Sequence, residues 1–253
     1  MTRGMGRVTW LGALVLFGCR PAGPATEEAA APPASEPAPP PPLPAPVASP
    51  ADTVPDSPIP PREPEPRRYA TETPAEIPRE ALFYRDNFIR IWRYYFNLAE
   101  SPTFGFAQVH QESRWNTNAK SRFASGLAQF TPGTAADFSK LLPPEVQAIC
   151  PSKTGCPTEP NWALNALSLY DFRLHKSFGW AASDDDRWRL ALAAYNGGAG
   201  WLQKERARAG GSAKWADIVA ACMRAPQYCK ENRDYPVRIL EKWFPLYQRW
   251  LGI

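Results

Sequence analysis

Apolar residues recur at steps of three and four along the second part of the chain, and this spacing predicts helices. The clearest pattern occupies residues 79–100, for which one long helix is predicted. Its inward-facing residues are predicted to be Leu82, Phe88, Ile91, Trp92, Tyr95 and Leu98. Ser101 and Pro102 begin a second predicted helix, which extends from Thr103 to Ser113.

Further helical patterns follow, and no segment shows a convincing strand alternation. The residues 158–161 can cap a third helix that ends near Lys176, with Trp162, Leu167, Tyr170 and Leu174 facing inward. A fourth helix, 187–196, follows three aspartates and stops at a glycine pair. A short helix is predicted from Trp201 and a last one over 234–251, whereas 143–157 is predicted to be a loop. The chain is therefore predicted to be mainly α, and a small hairpin within 116–130 remains open.

Proline content separates the chain into two parts. Of the 30 prolines, 20 lie between Pro21 and Pro78. Such a composition favours an extended, solvated chain, so residues 20–78 are predicted to be a disordered linker and 79–253 a folded domain. A proline-rich ligand for a partner domain is the alternative for this segment.

The first 19 residues have the features of an export signal. Arg3 and Arg7 precede an apolar run that ends at Cys19 and is too short for a permanent membrane helix. The residues Leu16-Phe17-Gly18-Cys19 resemble the lipobox of bacterial lipoproteins, in which the cysteine is lipidated. The alternative is ordinary secretion with a cleavage that removes Cys19.

Four cysteines remain after Cys19, in two close pairs. They are Cys150 with Cys156 and Cys222 with Cys229. An even number in an exported domain favours disulfides, and pairing within each loop is the simplest of three connectivities. A zinc site is a weak alternative, because neither pair has the CxxC spacing and both histidines lie far away.

The charge of the folded part is only mildly basic. From Glu80 onward there are 22 Lys and Arg and 16 Asp and Glu, a net charge of +6. This balance favours an anionic polymer as a partner. It lacks the dense basic runs of a nucleic-acid binder, so no nucleic-acid partner is predicted.

Glu112 is the main candidate for a catalytic residue in this sequence. Phe104, Phe106 and Val109 on the same predicted helix would draw its carboxyl toward an apolar pocket and raise its pKa. A carboxyl that holds a proton near neutral pH can act as a general acid on a glycosidic oxygen. The next segment supplies neutral polar groups suited to sugar hydroxyl and acetamido groups, at Asn116, Asn118, Ser121, Ser125 and Gln129.

Three ordered motifs carry a resemblance to a known family. They are Glu112-Ser113 followed by Gly126-Leu127-Ala128-Gln129, then Ala194-Tyr195-Asn196, then Glu231-Asn232-Arg233-Asp234-Tyr235. In this order and spacing they resemble lytic transglycosylases of the soluble, goose-lysozyme-like type. The resemblance covers about residues 82–250. This chain has Ala128 where the family usually has Met, and its loop from Ser121 to Gly126 is one residue shorter.

The resemblance implies a lysozyme-like (α+β) fold, mainly helical, and a peptidoglycan substrate. It implies that Glu112 is the single catalytic acid and base, and that no cofactor or metal is needed. The substrate-binding residues would be Ser113, Gly126, Leu127, Ala128, Gln129, Tyr195, Asn196 and Tyr235. Structural alternatives stay open for three of them: Ser113 could cap its helix, and Tyr195 and Tyr235 could belong to the core.

Two other functions remain open. A goose-type lysozyme would need a second carboxylate to hold water, and the candidates are Asp171, Asp184, Asp185, Asp186, Glu205 and Glu231. A non-catalytic peptidoglycan-binding lipoprotein would keep the cleft without the chemistry.

The expected location follows from the export signal. The chain is expected in the periplasm, anchored to a membrane by a lipid on Cys19. Arg20 follows that cysteine in place of the aspartate that retains lipoproteins at the inner membrane, which favours the outer membrane. An envelope or secretion machine is a further candidate partner.

Overall fold

The computed structural model describes residues 74–253, and these are almost entirely helical. The helices are α1 (Glu80–Phe96), α2 (Thr103–Ser113), α3 (Pro132–Ser139), α4 (Pro144–Ile149), α5 (Pro160–Ser177), α6 (Asp184–Gly197), α7 (Ala199–Arg208), α8 (Trp215–Ala220), α9 (Pro226–Val237), a π-helix (Arg238–Trp243) and α10 (Phe244–Leu251). The fold class predicted from the sequence is confirmed.

Helix α2 lies close against α1 because a glycine permits it. A Cβ on Gly105 would lie 2.6 Å from the ring of Trp92 and 2.7 Å from that of Phe88. Both rings are fully buried, as is Phe106 on the next position of α2. The aromatic rings therefore fix α2, and with it the end of the helix that carries Glu112.

Aromatic residues also join α2 to α6 and α10. Trp188 of α6 stacks on Phe104 with ring centroids 3.9 Å apart, and Phe104 also contacts Phe244. Burying such rings contributes about 2–3 kcal/mol each from apolar area alone. The core therefore surrounds α2 on several sides and holds it as the central element.

The first helix is shorter than predicted, and two of its expected core residues are exposed. Asn97 adopts a left-handed backbone (φ 55°) and ends the helix, which leaves Leu98 83% exposed. Leu82 is 44% exposed because the buried stripe follows Ala81, Phe88 and Trp92 instead. The prediction that Leu82 and Leu98 face inward was wrong.

Three other boundaries differ from the prediction. Helix α4 lies inside the segment predicted as a loop, and α6 begins at Asp184 because the Ser183 side chain accepts a hydrogen bond from the Asp186 N–H. The last predicted helix is three segments, since α9 begins at Pro226 and the π-helix separates it from α10. The hairpin is reduced to two isolated bridges, Lys120 with Ser125 and Ser125 with Phe130.

Both predicted disulfides are present. Cys150 bonds to Cys156, and Cys222 bonds to Cys229. Each bridge closes a short loop, which confirms the local pairing. The predicted signal, Cys19 and the linker up to residue 73 lie outside the described residues. Between residues 74 and 253, no helix combines the length and apolar character required to cross a membrane.

Candidate active site

Glu112 lies in the last turn of α2, where the backbone changes direction sharply. Arg114 and Trp115 both have left-handed backbones, with φ of 51° and 63°. Two such residues in succession are uncommon outside glycine and mark a position held by its surroundings. Trp115 is fully buried, and its indole N–H donates to the hydroxyl of Tyr247 at 2.7 Å. Trp115 thus anchors the end of α2 and fixes where Glu112 points.

The Glu112 carboxyl accepts a hydrogen bond from the hydroxyl of Tyr235, which is buried on α9. Burial, together with the charge of Glu231, raises the pKa of Glu112 to about 8. The Tyr235 hydrogen bond and the charge of Arg238 act in the opposite direction. Glu112 therefore holds a proton at neutral pH, as the apolar neighbours on α2 predicted.

The loop after α2 forms a tight framework around Gly126. The Gly126 N–H donates to the carbonyl of Ala119 at 2.8 Å, and its own carbonyl accepts from the Gln129 side chain at 2.9 Å. Gln129 has a left-handed backbone (φ 47°), and its Nε2 also donates to Ala119 at 3.2 Å. Gln129 is thereby held with its side chain lining the same cleft as Glu112.

Leu127 and Ala128 are fully buried, so their side chains belong to the core. Their backbone supports the site instead: the Ala128 carbonyl accepts from the Tyr195 hydroxyl at 2.7 Å. Tyr195 also lies near enough to Glu112 for that charge to raise the tyrosine pKa. Tyr195 therefore connects α6 to the loop that carries Gln129.

The other predicted site residues differ in whether they line the cleft. Ser113 lines the cleft, but its hydroxyl donates to the Val109 carbonyl of its own helix at 3.2 Å. The Asn196 side chain hydrogen-bonds to Glu231 and lowers the pKa of that residue. Of the predicted set, Glu112, Ser113 and Gln129 line a cleft of about 810 Å³. The others, Gly126, Leu127, Ala128, Tyr195, Asn196 and Tyr235, are not among its lining residues.

Several residues that line the cleft were not predicted. Three of them belong to the π-helix. Arg238, Lys242 and Trp243 line the cleft from the π-helix. In a helix with i→i+5 hydrogen bonds, residues four and five positions apart lie on one side. The nearest sequence signal is Pro245, which lacks an N–H and cannot continue the regular ladder. Proline alone does not predict a π-helix, so this wall could not be found from the sequence.

His110 is another cleft residue that was not predicted. Its ring stacks on Trp243 with centroids 3.9 Å apart, and its Nδ1 lies 2.9 Å from the Tyr247 hydroxyl. Because the Tyr247 oxygen already accepts from Trp115, its hydrogen is free to point at His110. Burial lowers the pKa of His110 to about 4, so the imidazole is neutral and accepts that hydrogen.

Two acidic residues approach Glu112 in different ways. Glu231 lines the cleft and interacts electrostatically with Glu112. Asp171 on α5 is fully buried, and burial raises its pKa well above the usual range. The amide of Gln108 lies beside Asp171 and opposes that rise, although no hydrogen bond of normal geometry joins them. Burial therefore disfavours the ionised form of Asp171.

The remaining candidate carboxylates have structural partners. Glu205 forms a buried ion pair with Arg224 at 3.1 Å. The three aspartates of α6 occupy its first turn, where Asp185 pairs with Arg189 at 2.7 Å. Across residues 74–253, no group of three His, Cys, Asp or Glu side chains is placed to hold a metal ion.

Replacing Tyr235 by phenylalanine tests the hydrogen bond to Glu112. The hydroxyl stabilises the ionised carboxylate, so its loss should raise the pKa of Glu112 and lower kcat by about tenfold. Activity of the wild type should fall as pH rises through about 8, where Glu112 loses its proton. In Tyr235→Phe this alkaline limb should move to higher pH.

The measurement is the pH dependence of kcat on fragments of peptidoglycan, the substrate that the sequence resemblance implies. The matched control is Tyr94→Phe, which removes an exposed hydroxyl from α1. An alkaline limb that stays in place in Tyr235→Phe would contradict the assignment.

Comparisons with known proteins find a family match over this part of the chain. The family described as "Transglycosylase SLT domain" matches residues 97–218. No curated protein sequence matches the chain. Two solved structures are similar: the 70 kDa soluble lytic transglycosylase from Escherichia coli, and a complex of the 70-kDa soluble lytic transglycosylase with bulgecin A.

The first structure is 26% identical, with a TM-score of 0.49 over 64% of this chain and 24% of that chain. The second is 24% identical, with a TM-score of 0.51 over 69% of this chain and 25% of that chain. The chain thus matches only about a quarter of the length of these structures, and the second likeness shows a shared fold. The family match covers Glu112, the Gly126–Gln129 loop and Tyr195. Residues 97–218 are therefore similar to the transglycosylase SLT domain family.

Proposed function

We propose that the protein cleaves the β-1,4 bond between N-acetylmuramic acid and N-acetylglucosamine in peptidoglycan without using water. The observation that carries the proposal is the protonated Glu112 in an open cleft, within the segment that matches the family. A carboxyl with a pKa of about 8 can donate its proton to the glycosidic oxygen at neutral pH.

The first half of the reaction breaks the glycosidic bond. Glu112 protonates the oxygen that leaves with N-acetylglucosamine, and the bond from that oxygen to the anomeric carbon of muramic acid breaks. The positive charge at this carbon is met by the acetamido oxygen of the same sugar, which replaces a second protein carboxylate. The Tyr235 hydroxyl stabilises Glu112 while it is ionised.

The second half closes a ring. The Glu112 carboxylate removes the proton from the muramic 6-hydroxyl, and that oxygen bonds to the anomeric carbon. The product is a 1,6-anhydromuramic acid end, and Glu112 regains its proton. A hydroxyl already held on the same sugar has an effective molarity that water does not reach.

The position of Glu231 favours one alternative function, hydrolysis of the same bond. It lines the cleft, and a second carboxylate there could hold a water molecule for hydrolysis, as in a goose-type lysozyme. Burial raises the pKa of Glu231, which disfavours the ionised carboxylate that this role requires. A non-catalytic peptidoglycan-binding lipoprotein is the other alternative.

The mass of the products separates these functions. Digestion of purified peptidoglycan by the full chain should release muropeptides whose muramic ends are lighter by one water than reducing ends. Products with reducing ends would establish hydrolysis instead. An absence of any soluble product from a folded protein would establish the binding role.

We also propose that the protein acts in the periplasm, held by a lipid on Cys19 at the outer membrane. The short apolar run before Cys19 supports this location, as does the peptidoglycan substrate. The proline-rich segment 20–78 would let the domain reach glycan strands away from the membrane. An envelope or secretion machine could use such local opening of the wall.

A further inference from the structure

Basic side chains line the cleft on both sides of Glu112. Arg114 and Lys120 come from the segment after α2, and Arg238 and Lys242 come from the π-helix. Lys230 of α9 is the fifth cation of the cleft. The acidic residues of the cleft are Glu112, Glu231 and Asp234, so positive charge is in excess even when all three are ionised.

Two of the five cations are engaged with acids of the cleft itself. Lys230 forms an ion pair with Asp234 one helical turn away. Arg238 faces Glu112 and Glu231 and lowers the pKa of both. These two cations therefore balance the negative charge around the catalytic carboxyl.

The other three, Arg114, Lys120 and Lys242, form no ion pair within the described residues. All three are exposed and line the cleft, Arg114 and Lys120 from the segment after α2 and Lys242 from the π-helix. Lys242 lies 4.3 Å above the ring of Trp243, which holds its ammonium group at the cleft edge. Arg114 is held by its left-handed backbone next to the buried Trp115.

The glycan backbone does not account for these charges. Its hydroxyl and acetamido groups are neutral, and a neutral polymer gains little from unpaired cations on the walls of its cleft. The peptide stems carry free carboxylates and project from the muramic residues. Cations that line the cleft from two separate segments would attract such groups near the bond that is cleaved.

We propose that Arg114, Lys120 and Lys242 are specificity-determining residues that select glycan strands whose peptide stems carry free carboxylates. This proposal rests on the proposed function, because it concerns the same cleft. The cations act on substrate capture and orientation, so they should change kcat/KM through KM and leave the chemistry at Glu112 unaltered.

The test compares two preparations of the same peptidoglycan fragments. In both, free amines are acetylated; in one, the stem carboxylates are also converted to methylamides. Wild type should show a kcat/KM about fivefold higher on the carboxylate form at low ionic strength, and added salt should reduce this preference. Lys120→Gln with Lys242→Gln should bring the ratio close to one, because the carboxylate form then loses its attraction to the cleft.

Two matched variants complete the experiment. Lys120→Arg with Lys242→Arg keeps both charges and should keep the wild-type ratio. Lys140→Gln with Lys153→Gln removes two exposed charges outside the cleft and should also keep it. The proposal is overturned if methylamidation leaves the wild-type rate unchanged, or if the Lys120 and Lys242 glutamine variant keeps the wild-type ratio. Failure of the proposed function looks different, because wild type would then give no anhydro ends from either preparation.

Discussion

Replacing Glu112 by glutamine is expected to lower kcat on peptidoglycan by about a thousandfold, to the background of the assay. Glutamine has nearly the same shape and can still accept the hydrogen bond from Tyr235. It cannot donate a proton to the glycosidic oxygen or remove one from the 6-hydroxyl. Replacing one carboxyl oxygen by an amide nitrogen therefore removes both steps of the reaction, cleavage of the glycosidic bond and closure of the ring. The measurement is release of soluble muropeptides from purified peptidoglycan.

The control for this change is Glu145→Gln, an exposed glutamate on α4 outside the cleft. It should retain wild-type activity. The free energy of unfolding should be unchanged or higher in Glu112→Gln, because burial disfavours the ionised carboxyl that the substitution removes. If a folded Glu112→Gln protein released muropeptides at the wild-type rate, another residue would have to supply the proton.

Replacing Gly126 by alanine is expected to destabilise the domain by about 3 kcal/mol or more and to remove activity. A Cβ at this position would lie 1.6 Å from the carbonyl oxygen of Pro157, which is backbone and cannot move aside alone. The left-handed backbone (φ 78°) adds strain for any residue with a Cβ. The loop that holds Gln129 in the cleft must then shift.

Chemical denaturation and muropeptide release measure the two effects together. Gly133→Ala is the matched control, because no atom lies within 4 Å of a Cβ at that position, in helix α3. It should be neutral or stabilise the protein by up to about 1 kcal/mol. A Gly126→Ala protein with wild-type stability would show that the contact with Pro157 is not retained in solution.

The long helices were predictable because their periodicity and end signals agree. Helix α2 matches its predicted bounds, and α5 begins where a capping side chain was expected, at Glu159. Errors arose where tertiary packing decided the outcome. The apolar pattern of the first helix continues to Leu98, but the left-handed backbone of Asn97 ends the helix. Short α4 has too few residues for a periodic signal.

The candidate site was also predictable only in part. Glu112 could be singled out because its apolar neighbours lie on its own helix, one turn or two away. The opposite wall comes from α9 and the π-helix, more than a hundred residues later in the chain. No local pattern brings Glu231, Arg238 or Trp243 to face Glu112. Only the packing of α9 and α10 on the rest of the domain does so.

The π-helix fixes the number of residues that this segment of the chain can contain. Each turn of a π-helix holds about one residue more than a turn of a regular α-helix. The π-helix therefore adds one residue to the chain between two sets of contacts that are both fixed in space. Before it, Tyr235 must meet Glu112; after it, Tyr247 must meet His110 and Trp115. Removing one residue from 239–242 would turn everything downstream by about 100° and separate the second point from the first. Insertions and deletions should therefore be excluded from this segment even where its side chains vary freely.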